Sequence, residues 1–228
     1  AGMKSSDLLL RNTATLRPGR THGPGRRALA LFLCLTLANL PLTPCYALDR
    51  NALPTGGQVT AGSAAIQQSG SQMTVQQDSQ KAVIDWRQFN IGADAGVAFR
   101  QPNSSSVALN RVLGGDPSQI FGKLGANGQV FLVNAAGILF APGSQVNVGG
   151  LVASTMNITN DDFLAGRMIF RRNGSTGSVV NQGSITAANG GYITLLGSTV
   201  RNEGLIRTRF GQVTLAAGET ITMNAGID

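Results

Sequence analysis

Two patterns of apolar positions divide the chain. The first is one uninterrupted run, residues 28–40 (ALALFLCLTLANL), in which only Thr36 and Asn39 are polar. The second is a set of short alternating segments spread over the remainder. In Gln145-Val146-Asn147-Val148 the valines fall on one face and the amides on the other. Tyr192-Ile193-Thr194-Leu195, Gln212-Val213-Thr214-Leu215 and Thr220-Ile221-Thr222-Met223 repeat the arrangement. Strict alternation is the pattern of a strand with one buried face. Between these segments stand turn clusters such as Ala188-Asn189-Gly190-Gly191 and Asn202-Glu203-Gly204. No segment carries the period of a long amphipathic helix, and β-branched residues are common while lysine and glutamate are scarce after the first 47 residues, which favours strands.

The spacing of the strands predicts the architecture. Val179 to Thr199 (VVNQGSITAANGGYITLLGST) aligns with Val200 to Thr220 (VRNEGLIRTRFGQVTLAAGET). Asn181 falls on Asn202, Gly183 on Gly204, Ile185 on Ile206 and Thr199 on Thr220, each 21 residues on. Ile193 and Leu195 meet Val213 and Leu215 at 20. A repeat near 20 residues, built of short strands and tight Asn/Gly turns, predicts a β-solenoid whose coils stack by parallel pairing about 4.8 Å apart. At that period residues 48–228 provide roughly eight or nine coils. A β-sandwich would account for the alternation but not for the in-register Asn, Gly and Ile positions. Asn181, Gly183, Asn202 and Gly204 are expected at coil turns, because left-handed backbone is cheap only for Gly and, less so, Asn. The stacked asparagines are placed to hydrogen-bond along the coil axis.

Residues 1–47 have a different character. A basic, Gly/Pro-interrupted segment precedes the apolar run, and PLTPCYA follows it, ending at Ala47. A basic start, a short apolar stretch and a small-residue exit compose a secretory signal peptide. The run is shorter than the roughly 18–20 residues that span a bilayer. This leader also changes the meaning of the net charge of +7, which by itself would suggest a nucleic-acid partner. Lys4, Arg11, Arg17, Arg20, Arg26 and Arg27, against Asp7 alone, place +5 in the leader and leave +2 for the rest, so no nucleic-acid partner is expected. Cys34, Cys45 and the single histidine, His22, lie there too. Residues 48–228 therefore contain no thiol nucleophile, no thiolate or imidazole metal ligand and no His-based proton relay. No catalytic residue, metal site or cofactor is expected.

The order LPTGGQVTAG (residues 53–62), AVIDWRQFNIG (82–92), VALNRVLGG (107–115), NGQVFLVNAAGILF (127–140) and VNVGGLVAST (146–155) resembles the two-partner-secretion domain of TpsA exoproteins. That family comprises the filamentous haemagglutinins, the high-molecular-weight adhesins and related haemopexin-binding and contact-dependent-inhibition proteins. The resemblance covers residues 53–224 and implies an all-β, right-handed parallel β-helix with an N-terminal capping segment. It implies two regions: 1–47 as leader, and 48–228 as the secretion domain that begins a longer exoprotein. The implied partners are the inner-membrane export machinery and the POTRA domains of a TpsB-type outer-membrane transporter. The implied destination is the surface or medium of a Gram-negative bacterium, with host glycans or receptors as possible targets of the full-length protein.

Residue by residue, the family's Asn-Pro-Asn-Gly-Ile turn corresponds to Asn134-Ala135-Ala136-Gly137-Ile138, with Ala135 and Ala136 replacing its proline and second asparagine. The family's Asn-Pro-Asn-Leu motif is absent. In its region stands Leu109-Asn110-Arg111-Val112, which is similar to the adhesin branch. Asn110, Arg111, Asn134, Gly137 and Ile138 are the motif or transporter-recognition candidates. Asn134 and Gly137 are expected as turn-makers, and Arg111 as a contact residue, because a charge among apolar neighbours needs solvent or a partner. Trp86 and Phe89 are expected to cap the apolar column. Two rival functions remain, a glycan- or host-binding module and a β-helical polysaccharide lyase. The lyase has one candidate cluster, Asp161 and Asp162 with Arg167, Arg171 and Arg172, whose Asn160-Asp161-Asp162 reads more simply as a polar turn or helix start.

Overall fold

The structure is a computed structural model that describes residues 48–223. The leader, with its signal-peptide features, lies outside the described residues. The chain winds through three sheet faces in turn. Face 1 holds, in spatial order, β1 (Gln58–Ala61), β4 (Lys81–Trp86), β6 (Val107–Val112), β9 (Gln129–Val133), β12 (Gly150–Ser154), β16 (Tyr192–Gly197) and β19 (Gln212–Ala217). Face 2 is shorter, with β7 (Ser118–Ile120), β10 (Ile138–Phe140), β14 (Ser178–Asn181) and β17 (Thr199–Asn202). Face 3 holds β2 (Ala64–Ser69), β3 (Gln72–Gln77), β5 (Gly96–Arg100), β8 (Lys123–Ala126), β11 (Gln145–Val148), β15 (Ser184–Ala187) and β18 (Leu205–Arg207). All stacked neighbours pair in parallel except at one end, where β1 lies antiparallel on β4 and β2 antiparallel on β3. The fold is a parallel β-helix with an antiparallel N-terminal cap.

The register follows the 21- and 20-residue spacings. Asn181 pairs with Asn202 and Ile185 with Ile206, while Ile193 and Leu195 pair with Val213 and Leu215. In-register stacking turns each inward position into a column. Met73, Val97, Leu124, Val146, Ile185 and Ile206 succeed one another on face 3, and Val130, Leu151, Ile193 and Val213 on face 1. Most of these side chains are fully buried, which supplies the apolar burial that holds a solenoid together.

Two expectations need correction. Each long face carries six parallel strands and one antiparallel strand, about seven layers rather than eight or nine. Residues 58–69 are spent on the cap, and residues 155–177 leave the helix between β12 and β14. The second correction concerns Thr220, which does not stack on Thr199. It belongs to β20 (Thr220–Met223), which is diverted to pair antiparallel with β13 (Met168–Arg171) of the excursion.

The excursion builds a second core on the outside of face 1. Val83, Leu109, Phe131 and Val152 form an outward apolar column, in register from β4 to β12. Met156, Ile158, Phe163, Met168 and Phe170 cover it, with the rings of Phe163 and Phe170 at 5.8 and 6.3 Å from that of Phe131. The excursion also carries the one described helix, α1 (Asn160–Leu164), whose N-cap Thr159 accepts a hydrogen bond from Asp162 N at 3.1 Å.

Candidate functional site

The Asn134–Ile138 turn joins face 1 to face 2. Asn134 is fully buried, and its amide is used at both ends. Its Nδ2 donates to Asp116 O and to Ser118 Oγ, each at 3.0 Å, so it is stitched to the preceding coil. Its Oδ1 accepts from Ala136 N at 3.0 Å, and its carbonyl accepts from Gly137 N at 3.1 Å, closing the turn. Gly137 has φ +131°, a value that side-chain-bearing residues rarely adopt. Ile138 then enters face 2, buried and in register between Ser118 and Val179. The asparagine, the glycine and the isoleucine thus make a turn whose polar groups are satisfied within the protein.

Asn110 and Arg111 are neighbours that point in opposite directions. Asn110 stands inside the helix, fully buried between Ile84 and Leu132 in its column. It accepts the indole N–H of Trp86 at 3.0 Å and donates to the carbonyls of Ala108 and Phe131. An amide in an apolar column is stable only when satisfied in this way. Arg111 points outward, but its side chain is only 16% exposed. Its partner is internal: Nη2 donates to Ile158 O at 2.8 Å and to Asn160 Oδ1 at 2.7 Å, and Nη1 lies 3.4 Å from Asp85. The charge expected to seek solvent or a partner protein therefore clasps the excursion. In the folded domain neither Asn110, Asn134 nor Ile138 is presented to a partner, because all three are buried by the coils around them.

At the corner between faces 2 and 3, Asn181 Nδ2 donates to Asn202 Oδ1 at 2.7 Å along the coil axis, while its own Oδ1 accepts from Gly183 N. The ladder begins above Phe140, which occupies the same position one coil earlier. The left-handed backbone expected at Asn181, Gly183, Asn202 and Gly204 is not found, since none of the four has positive φ; Gly183 and Gly204 lie where a Cβ would strike backbone of the adjacent coil, so their role is close approach. At the capped end, Trp86 and Phe89 are each 1% exposed and meet edge to face at 5.4 Å. The cap passes directly over Trp86, since a Cβ on Gly57 would collide with its ring and with Ile66. A bidentate pair from Arg50 to Asp94, at 2.6 and 2.8 Å, fixes the segment entering the first coil and holds the Asp94 carboxyl below the usual range.

Apart from Asp161, the lyase-like cluster is tied up in ion pairs. Asp162 meets Arg167 at 2.8 Å and Arg171 at 3.3 Å, and Arg172 meets Glu219 at 3.0 Å. Arg167 foremost, then Thr159 and Arg171, hold the Asp162 carboxyl below the usual range. Sequence reasoning passed over Lys81, whose ammonium donates to the carbonyls of Phe163 and Leu164 at 3.2 and 2.8 Å. The signal that an outer layer exists is present in "VFLV" of β9 and "LVA" of β12, continuous apolar runs that mark strands buried on both faces.

Comparison with known proteins completes the description. Residues 50–227 match the family described as TPS secretion domain. A heme/hemopexin-binding protein of Haemophilus influenzae is 38% identical over 184 residues, covering 78% of this chain and 20% of that protein. A second heme/hemopexin-binding protein of Haemophilus influenzae is 44% identical over 106 residues, covering 46% of this chain and 11% of its own length. The chain thus spans a fifth or less of the curated relatives it matches. The crystal structure of the HMW1 secretion domain from Haemophilus influenzae superposes with a TM-score of 0.72 at 36% identity, over 74% of this chain and 46% of that one.

Proposed function

The chain belongs to the TPS secretion domain family, and from that premise we propose that it is the N-terminal secretion domain of a larger exported protein, read by the POTRA domains of a TpsB-type outer-membrane transporter and nucleating β-helix folding at the cell surface. Proteins with this domain are secreted by Gram-negative bacteria and work with a partner transporter. The observation that carries the rest is the polarity of the helix. One end is closed by the antiparallel strands β1 and β2 over Trp86. From that cap onward the coils stack in parallel on their predecessors, through β18 and β19. A capped start followed by parallel stacking templates growth in one direction, since each coil needs only its predecessor.

Burial of the motif residues bears on when recognition occurs. The proposed reading takes place on the unfolded chain in the periplasm, where a strand adds to an exposed POTRA sheet edge through its backbone. Asn110, Arg111, Asn134, Gly137 and Ile138 are then available to the transporter, and fold inward once outside. Released burial and hydrogen bonding favour the outward product, so the final step needs no nucleotide hydrolysis. The inner-membrane export machinery delivers the chain to the periplasm in this scheme.

The test is secretion from a Gram-negative host with and without the cognate transporter. The expected result is transporter-dependent appearance of the protein in the medium, reduced by Arg111→Ala and Asn134→Ala. Retention in the periplasm beside a functional transporter would sink the reading. A lyase function finds no support in the paired Asp162 cluster.

A further inference from the structure

The excursion between β12 and β14, residues 155–177, is a loop closed on itself. Asn157 and Arg171 exchange two backbone hydrogen bonds of 2.9 Å across its base, and Thr155 Oγ1 donates to Gly177 O beneath them at 3.3 Å. Within it, Thr159 caps α1 and Asp162 is held by Arg167 and Arg171. The contacts that shape the loop are therefore local in sequence. Those that dock it are of another kind. Among the described residues, no backbone–backbone hydrogen bond joins residues 156–171 to β4, β6, β9 or β12, the strands on which they lie. The loop is held there by an apolar contact and by two cationic side chains that reach out from the coils.

The docking surface is made by residues that precede the loop in the chain. Val83, Leu109, Phe131 and Val152 stack in register into one outward column, so the column is complete once β12 has joined β9. All four are buried, although they face away from the interior of the helix, because Phe163, Phe170 and their neighbours lie over them. The cations come from the first two strands of that column. Lys81 Nζ donates to Phe163 O and Leu164 O at the C-terminal end of α1, where a helix leaves carbonyls unpaired and favours a positive charge. Arg111 Nη2 grips the N-terminal end through Ile158 O and Asn160 Oδ1. Leu196 and Ile221 join this outer core from strands that follow the loop, and β20 takes β13 of the loop as its antiparallel partner. The order along the chain is thus surface first, loop second and β20 last.

We propose that residues 155–177 are a strap that closes as a unit of its own after β4, β6, β9 and β12 have stacked, with Lys81 and Arg111 as its catches, and that its closure locks those strands against unstacking. In a solenoid each coil touches only its neighbours, so a bare stack frays one coil at a time. The strap crosses several coils at once, and β4 or β6 cannot leave the stack until Lys81 or Arg111 has let go of α1. Opening the strap returns the outward column to water, an apolar strip whose hydration opposes the open state. The inference concerns the protein's own folding, goes beyond the secretion reading and does not rest on it.

The first test is pulsed hydrogen exchange with mass spectrometry while the purified protein refolds from urea. Peptides of β6, β9 and β12 are expected to gain protection before residues 157–171, whose Asn157, Phe163, Ala165 and Arg171 amides bond only within the strap. Protection of the strap together with β9, or ahead of it, overturns the proposal, and this measurement needs no variant. The second test compares Lys81→Met and Arg111→Gln with the parent, following Trp86 fluorescence as a reporter of the stacked coils. Each variant loses charge-assisted hydrogen bonds, and is expected to unfold about tenfold faster in urea while refolding at a rate within about twofold of the parent. That split is the mark of a contact made after the coils have stacked, and a residue that merely supports the coils slows refolding as well. Slowed refolding with unchanged unfolding, or both rates unchanged, sinks the assignment of the two cations as catches.

Discussion

At the scale of the residue, the two asparagines of the motif regions show how a polar side chain is used inside a β-helix. Asn110 interrupts an apolar column between Ile84 and Leu132, and is tolerated because the Trp86 indole and two carbonyls saturate its amide. Asn110→Ala leaves that indole N–H without a partner and opens a gap beside it, and is expected to lower stability by about 3 kcal/mol. Urea unfolding with Trp86 fluorescence measures this, and a loss below about 1 kcal/mol would show the indole finding another acceptor. Asn134 works through the turn it closes. Ala135 is the second residue of that turn, and the carbonyl of Asn134 accepts from Gly137 N three residues on, the position in which proline is favoured. No hydrogen bond uses Ala135 N among the described contacts, so Ala135→Pro loses none. It is expected to stabilise the protein by about 0.4–1 kcal/mol by restricting the unfolded chain; thermal unfolding distinguishes this from the destabilisation that a clash would produce. The turn itself was legible in Asn134 and Gly137. The partner of Arg111 was not, because Ile158 and Asn160 are 47 and 49 residues away and share no repeat with it.

At the scale of the element, the excursion between β12 and β14 is the part that periodicity does not describe. Its helix start was readable in Asn160-Asp161-Asp162, while the residue that caps it is Thr159, one position earlier. Its docking was not, being decided by Phe163 and Phe170 against Phe131 and by Lys81 reaching back to the end of α1. Asp162 carries the pH dependence of this element. Its folded pKa lies below the ordinary aspartate value, with Arg167 the largest cause, then Thr159 and Arg171. The stabilisation is therefore complete above the ordinary carboxylate pKa of about 4 and is lost as pH falls through the lower folded value. Amide exchange in residues 157–171 is expected to accelerate, relative to β9, as pH is lowered below about 4 after correction for intrinsic exchange. Asp162→Asn is expected to remove that difference, and an unchanged pH response in the variant would assign it elsewhere.

At the scale of the whole molecule, the β-helix is a stack of nearest neighbours with one tie that breaks the rule. Excursion residues contact β4 and β6 near the capped end through Lys81 and Arg111, while β13 pairs with β20, which follows β19. Distant layers of the stack are thereby coupled through its outer layer. Amide exchange is expected to be slowest in β6, β9 and β12, which have coils on both sides and the excursion outside, and fastest in β17, β18 and β19 at the open edge. Mass-spectrometric exchange checks the gradient. Protection in β19 equal to that in β9 would mean that the edge is covered in solution by a second copy.

What the chain determined by itself is everything that repeats locally. Alternating valines and amides chose strands, Asn and Gly chose the corners, and the 21-residue offset from Asn181 to Asn202 chose parallel stacking, because identical neighbours in register bury the same face and close the same turn. The absence of cysteine and histidine from residues 48–228 excludes thiol and imidazole chemistry there by composition alone. What only the tertiary structure decided is whatever depends on contacts without a period. These are the number of coils, the diversion of Thr220 to Arg171, the inward fate of Asn110 and the internal partners of Arg111. Each joins segments tens of residues apart, where the deciding energy is burial against a surface that does not exist until the coils have stacked.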